Sequence, residues 1–260
     1  MIDITNNTTL YNSRLATTTI NQYQAVTDTT STTTPSSTTT TIVSNLARQL
    51  SEAANLAETR DASLSRNELA HKAKTLIDQL IGNSYDNNKL QHDNEVPNTD
   101  DPELLARAKQ ATDFVNGMGS NPFKGMSRDQ LSLIAYDESG SFTINERRAA
   151  WLESYDQEQV WRRKVVAQAT DEYNRTGKLT NFFTEVLNHY KELPAIEQSQ
   201  YPEDYESQLQ QWIDLDFNYI THQAEGNGSN PTSLIELLMV QGAYGNKDAA
   251  KAESDNVEVM

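Results

Sequence analysis

The sequence predicts an all-α fold, a helical bundle with disordered ends. Two observations lead to it. After Ser44 the apolar residues recur at spacings of three and four, the period of an amphipathic helix. The segments they define open and close on capping residues, while no convincing series of alternating apolar and polar residues marks a strand, and no tandem repeat appears.

The elements follow in order. Residues 1–43 are dominated by Thr with Ser and Asn, and Asp3, Arg14 and Asp28 are their only charges. Such a stretch buries too little apolar surface to offset its ordering entropy, and a disordered arm is expected. From Ser44, an N-cap, Leu46, Leu50, Ala53, Ala54 and Ala57 share one face. Leu69, Ala73, Leu76, Ile77, Leu80 and Ile81 form a second stripe that Gly82 ends, so 44–82 reads as a helical hairpin. Residues 83–100 are polar, carry Pro97, and read as a linker.

A helical core is expected over 101–245. Asp101-Pro102-Glu103 is a helix start: a cap, a proline suited to the first turn, and an acid at the positive end of the dipole. Leu104, Ala108, Ala111 and Val115 line its face. Ser127–Gln130 and Thr143–Glu146 are capping boxes. The helix after Thr143 is expected to run to about Gly177, with its apolar phase slipping near Asp156–Gln159, as a kink or burial on two faces would produce. Thr180 is read as the cap of a helix bearing Phe182, Phe183, Val186 and Leu187. Pro202 opens another, with Leu209, Trp212 and Ile213, continuing to Ile220. Leu234–Val240 would be a last apolar helix, and 246–260 a disordered tail.

Composition narrows function. The net charge of -16 opposes nucleic acid and anionic lipid, and favours cations. The chain has no cysteine, which removes disulfides and thiolate sites. No stretch approaches the roughly 18 apolar residues of a membrane span, so membrane insertion is not expected. The N-terminus lacks the basic start and apolar block of a secretory signal peptide, leaving the bacterial cytoplasm or export by another route. The Thr/Ser-rich arm resembles, by composition, the secretion signals of type III and flagellar export substrates. On that resemblance the alternative reading is an exported effector or another substrate of such a machine.

One segment is chemically pointed. Residues 135–146, between two expected helices, resemble an EF-hand calcium loop. With Gly140 at the sixth position, Asp137 stands third, Ser139 fifth, Ser141 seventh, Thr143 ninth and Glu146 twelfth. The resemblance implies calcium, held by side chains of Asp137 and Ser139, the carbonyl of Ser141, Thr143, and both oxygens of Glu146. The first position, ordinarily Asp, is Ala135. A capped turn accounts for the same residues without metal: Asp137 and Ser139 bonding locally, and Glu146 closing the box with Thr143. A second stretch, Asp214–Glu225, has acids or amides at four loop positions but Tyr219 where glycine belongs; a helix with an acidic face is the competing reading.

Other motifs are weaker. Glu68-Leu69-Ala70-His71 is half of a di-iron motif without a second half. Arg147-Arg148 and Arg162–Lys164 lie near Trp151 and Trp161, but intervening acids favour a salt-bridged face over nucleic-acid contact. No nucleophile elbow, phosphate loop or dinucleotide fingerprint is present, so the reading leans away from an enzyme. The run Asn121–Met126, Trp151 and Asn174–Gly177 are similar to an uncharacterised family of gammaproteobacterial proteins, which implies a bacterial source and no mechanism. The expected function is a non-enzymatic bacterial binding protein, its protein partner unknown, with a degenerate EF-hand-like element that is structural or binds calcium weakly.

Overall fold

A computed structural model describes residues 44–226, and they are all-α apart from one two-stranded hairpin. The expected arm at 1–43, the apolar helix at 234–240 and the tail at 246–260 lie outside the described residues. The chain divides into two compact units. One comprises the residues up to Trp161 with Lys191–Pro202; the other comprises Arg162–Tyr190 and the residues from Glu203 on.

In the first unit, α1 (Asn45–Ser63) starts where Ser44 Oγ accepts from the Ala47 amide. Helix α2 (Arg66–Asp78) opens on a Ser65–Glu68 capping box, which gives Glu68 a local task in place of a metal. Helix α5 (Pro102–Val115) is capped by Asp101, whose carboxylate accepts from Glu103 and Leu104. The box at Ser127 opens α6 (Arg128–Ala135).

The expected linker is partly structured. Two short helices, α3 (Gly82–Asn87) and α4 (Lys89–Asp93), occupy it. Tyr85 is buried there, donates to Asn145 at 2.7 Å, and carries the Arg148 guanidinium 3.9 Å above its ring. Composition concealed this because a single aromatic, amid polar neighbours, does the anchoring.

Two apolar clusters fill the unit. Leu69, Ala73, Leu76, Ile77 and Leu80 pack with Ala135, Tyr136 and Ile196. Ala111, Phe123, Leu131, Ile134, Phe142, Ala149 and Ala150 form the other, with Leu46 and Leu50 against it. The Asn121–Met126 run is a loop stapled to the helix that follows. Asn121 donates to the Ala149 carbonyl at 2.8 Å, accepts from the Phe123 amide at 2.9 Å, and so inserts Phe123 into the core. A buried ion pair adds to this: Arg128 Nε donates to Glu197 Oε2 at 2.8 Å, in α9 (Ala195–Gln198), with both side chains nearly inaccessible.

Helix α7 (Ile144–Thr176) is continuous, and its residues belong to the first unit up to Trp161 and to the second from Arg162. The slipped apolar phase near Asp156–Gln159 falls just before that boundary. The residues of one helix are divided between two compact units, so a single stripe is not required along its whole length.

The second unit holds α8 (Thr180–Lys191), α10 (Tyr205–Leu215) and the antiparallel pair β1 (Phe217–Asn218) and β2 (Gln223–Ala224). Phe183 stacks on Trp212 at 5.6 Å, and Leu215 and Phe217 pack with Trp212 and Tyr219. The expected helix to Ile220 stops at Leu215, because Asp216 turns left-handed at φ 44°. Thr180 is not the cap expected of it. Glu172, one helix back, accepts from the Asn181 and Phe182 amides at 2.8 and 3.0 Å, while the Thr180 hydroxyl donates to Asp216. Gly177 has φ +73°, and a Cβ there would meet Asn218 Oδ1 at 2.6 Å, so the residue must be glycine.

Lys178 sits between Asp216 and Glu225, 2.8 Å from the latter, and closes the hairpin. Burial works against the Asp216 charge, but hydrogen bonds from Lys178 and Thr180 hold its carboxyl below the usual range. The hydrogen bond from Lys178 does the same for Glu225. Acids whose folded pKa is depressed stabilise the folded form above their ordinary value and lose that contribution as pH falls. Lowering the pH below about 4 should therefore loosen the hairpin, read as faster amide exchange at Tyr219 and Ala224, and Lys178→Ala should abolish this acid-dependent step. Glu197→Ala, which leaves Arg128 buried without its carboxylate, should cost about 3–5 kcal/mol in urea unfolding.

Candidate functional site

The loop between α6 and α7 holds Asp137, Ser139, Ser141 and Thr143, and the first turn of α7 holds Glu146, the residues proposed for calcium. Helix α6 ends at Ala135 and α7 begins at Ile144. Gly140 makes the bend at φ +78°, where a Cβ would be strained whatever the surrounding space. Phe142 turns inward and joins the core.

The oxygens, however, are engaged by the protein itself. Asp137 is buried, and the Ser139 hydroxyl lies 2.9 Å from each of its carboxylate oxygens and donates to them. Ser139 Oγ in turn accepts from the Ser141 amide at 3.1 Å. The Ser141 carbonyl accepts from Gln49 Nε2, on α1, at 2.9 Å. Glu146 is 0% exposed, and both its oxygens are taken. Its Oε2 accepts from the Thr143 amide at 2.8 Å and from the Thr143 hydroxyl at 3.0 Å, and the Glu146 amide donates back to Thr143 Oγ1. Its Oε1 accepts from Arg107 Nε, on α5, at 2.7 Å.

Arg107 is the residue that sequence reasoning missed. Its Nη2 donates to Gln49 Oε1 at 2.8 Å, and its guanidinium lies 5.1 Å from the Phe142 ring centre and 5.8 Å from that of Phe123. Planar, permanently charged and rich in donors, it satisfies a buried carboxylate, an amide oxygen and two aromatic faces at once. No local spacing marks it, since it stands 39 residues before Glu146.

The first loop position is also served by an arginine. Arg147 Nε donates to the Ala135 carbonyl at 3.1 Å, and its Nη1 to Gln79 Oε1 at 3.1 Å. Burial lowers its pKa, while the charges of Asp137, Glu138 and Glu95 act to sustain its protonation. Arg148 donates to the Leu80 carbonyl. These two arginines thus tie the ends of α6 and α2 to α7, where a salt-bridged amphipathic face was expected.

This donor set does not suit calcium, which takes about six to eight oxygens. The glutamate is committed to Arg107 and Thr143, the Ser141 carbonyl to Gln49, and position one has no side-chain oxygen. Among the described residues no group of three or more His, Asp or Glu is placed to hold a metal ion. The second stretch, 214–225, takes in the end of α10 and the hairpin; Lys178 pairs with its Asp216 and Glu225, and Asp214 accepts from Gln210 at 2.8 Å.

Beside the loop runs a groove of about 230 Å³, wholly within the first unit. Tyr136, Asp137 and Glu138 form one wall and Ala53 and Ala57 of α1 another. None of the four histidines lines it. No protein-family model, curated protein or solved structure matches the chain.

Arg107→Ala should leave Glu146 buried and uncompensated, lowering stability by about 3–5 kcal/mol in chemical denaturation. Glu146→Gln, which keeps the shape and an acceptor oxygen, should cost less than Arg107→Ala, and the double variant less than the sum of the two, exposing the coupling.

Proposed function

We propose that this chain is a non-enzymatic bacterial binding protein in which the EF-hand-like helix–loop–helix is a rigid mount, fixed by arginine instead of calcium. The observation that carries this reading is Arg107 on Glu146: the acid that would chelate a cation from the outgoing helix is met by an internal guanidinium. Gln49 on the Ser141 carbonyl and Arg147 on the Ala135 carbonyl extend the same substitution around the loop. The termini of α6 and α7 are then held together at all times, and the surface they carry is preformed. The groove walled by Tyr136 and α1 is a concave, partly apolar feature of that surface, which supports binding as the task.

Calorimetric titration with calcium, paired with thermal unfolding, tests this. A site with a Kd of about 0.1 mM would add about 2.7 kcal/mol at about 10 mM calcium, a shift readily seen in a melt. The expected result is no saturable heat and no calcium-specific shift. Saturable heat that disappears in both Asp137→Asn and Glu146→Gln would overturn the proposal in favour of a working calcium loop.

A further inference from the structure

In the second unit, one face of α7 is apolar and open to solvent. Val166, Ala169, Thr170 and Tyr173 stand at the three-, four- and seven-residue spacing of a helix stripe. With Leu179, just before α8, and Phe182, in its first turn, they line a groove of about 340 Å³. Val166 is 58% exposed and Tyr173 41%. The Thr170 hydroxyl donates to the Val166 carbonyl at 2.9 Å, so the lining presents chiefly apolar surface. Phe182 meets Phe183 edge-on, and Phe183 stacks on Trp212, which backs the groove with the aromatic packing of the unit. An apolar stripe of this kind, beside a groove with a firm wall, suits a second apolar helix laid along it.

The chain itself carries such a segment within reach. The described residues stop at Gly226, close to the groove. Glu225 pairs with Lys178 at 2.8 Å, Lys178 directly precedes Leu179, and the Tyr219 ring centre lies 6.3 Å from that of Tyr173. Eight residues after Gly226 begins the stretch Leu234–Val240, apolar except for Glu236, which is the only charge between Gly226 and Lys247. Leu234, Leu237 and Leu238 share one face at helical spacing. A helix so short is marginal in water by itself and needs an apolar surface to lie on. Eight residues extend to at most about 29 Å, ample for a groove whose Tyr173 already meets the hairpin. A tether of that length holds its far end at an effective concentration on the order of millimolar, and a net charge of -16 works against a second copy as the occupant. We infer that residues 234–240 of this chain dock in the groove in cis, with Leu234, Leu237 and Leu238 against Val166, Ala169, Tyr173 and Phe182. The inference goes beyond the binding role proposed above and uses none of the residues of the α6–α7 loop.

The test uses the full chain. Because it has no cysteine, Met239→Cys gives a single attachment point for a spin label, away from the face of Leu234, Leu237 and Leu238. The amide NMR signals of Ala169, Tyr173 and Phe182 are expected to lose intensity at least threefold more in this labelled chain than in one that also carries Leu237→Glu and Leu238→Glu. Val166→Glu, at an exposed position, should remove the same excess while the Tyr219 and Ala224 amides keep their shifts, which shows the hairpin intact. Equal losses with and without the introduced glutamates, or losses centred away from the groove, refute the docking. The same losses in a label-free chain mixed with a spin-labelled second copy would replace the cis assignment with an exchange between copies.

Discussion

Glu146 stands at the start of α7 with no access to solvent, and everything around the loop follows from how its charge is met. An isolated carboxylate in such a place would be costly, by several kcal/mol after relaxation. Here one oxygen closes the capping box with Thr143 and the other takes Arg107. Through Arg107 the network reaches Gln49, and through Gln49 it returns to the Ser141 carbonyl. Helices α1, α5 and α7 are thereby joined to the loop by a closed set of hydrogen bonds. Phe142 is fixed in the core by the same residue, since the Arg107 guanidinium lies over its ring.

The charge balance of the chain makes such contacts informative. Lys and Arg number 21 against 37 Asp and Glu, so basic side chains are scarce. Several of them are nevertheless placed inside: Arg107 on Glu146, Arg128 on Glu197, and Arg147 on two oxygen acceptors. Lys178 repeats the arrangement at the hairpin. Each of these internal cations stabilises a turn or helix end whose acids and carbonyls would otherwise face one another. A net charge of -16 repels polyanions.

What was legible in the sequence was the local part. Ser44, Asp101 and Ser127 cap helices as their types and spacings indicate, because a cap and its target lie within one turn. The Thr143–Glu146 box and the Gly140 bend were visible for the same reason. Contacts formed by distant residues were not. Arg107 has no motif, Glu172 caps a helix it does not belong to, and Gly177 is required by Asn218, far along the chain. The hairpin was hidden by its brevity, for two-residue strands show no alternation, and the left-handed turn at Asp216 is one a short polar side chain tolerates without announcing it. Tyr85 shows the converse error: a polar stretch reads as loop, although one buried aromatic suffices to fold it back.

Such a loop has two ways of being held, by a bound ion or by an internal base, and Arg107 bears on both. To use Glu146, calcium would have to displace Arg107, and breaking a buried ion pair by removing one partner costs about 3–5 kcal/mol. A loop without its first acid starts one ligand short, and a weak site returns no more than about 2.7 kcal/mol even at a hundredfold excess over its Kd. Placing an arginine where an ion would sit has a further consequence that metal cannot match. Arginine is covalently tethered and charged at every physiological pH, so in the reading proposed above the angle between α6 and α7 would not depend on cation supply. A calcium hand is a switch because its ligand comes and goes; the same frame with its cation built in would be a fixed surface, and the proposed binding role draws on that constancy.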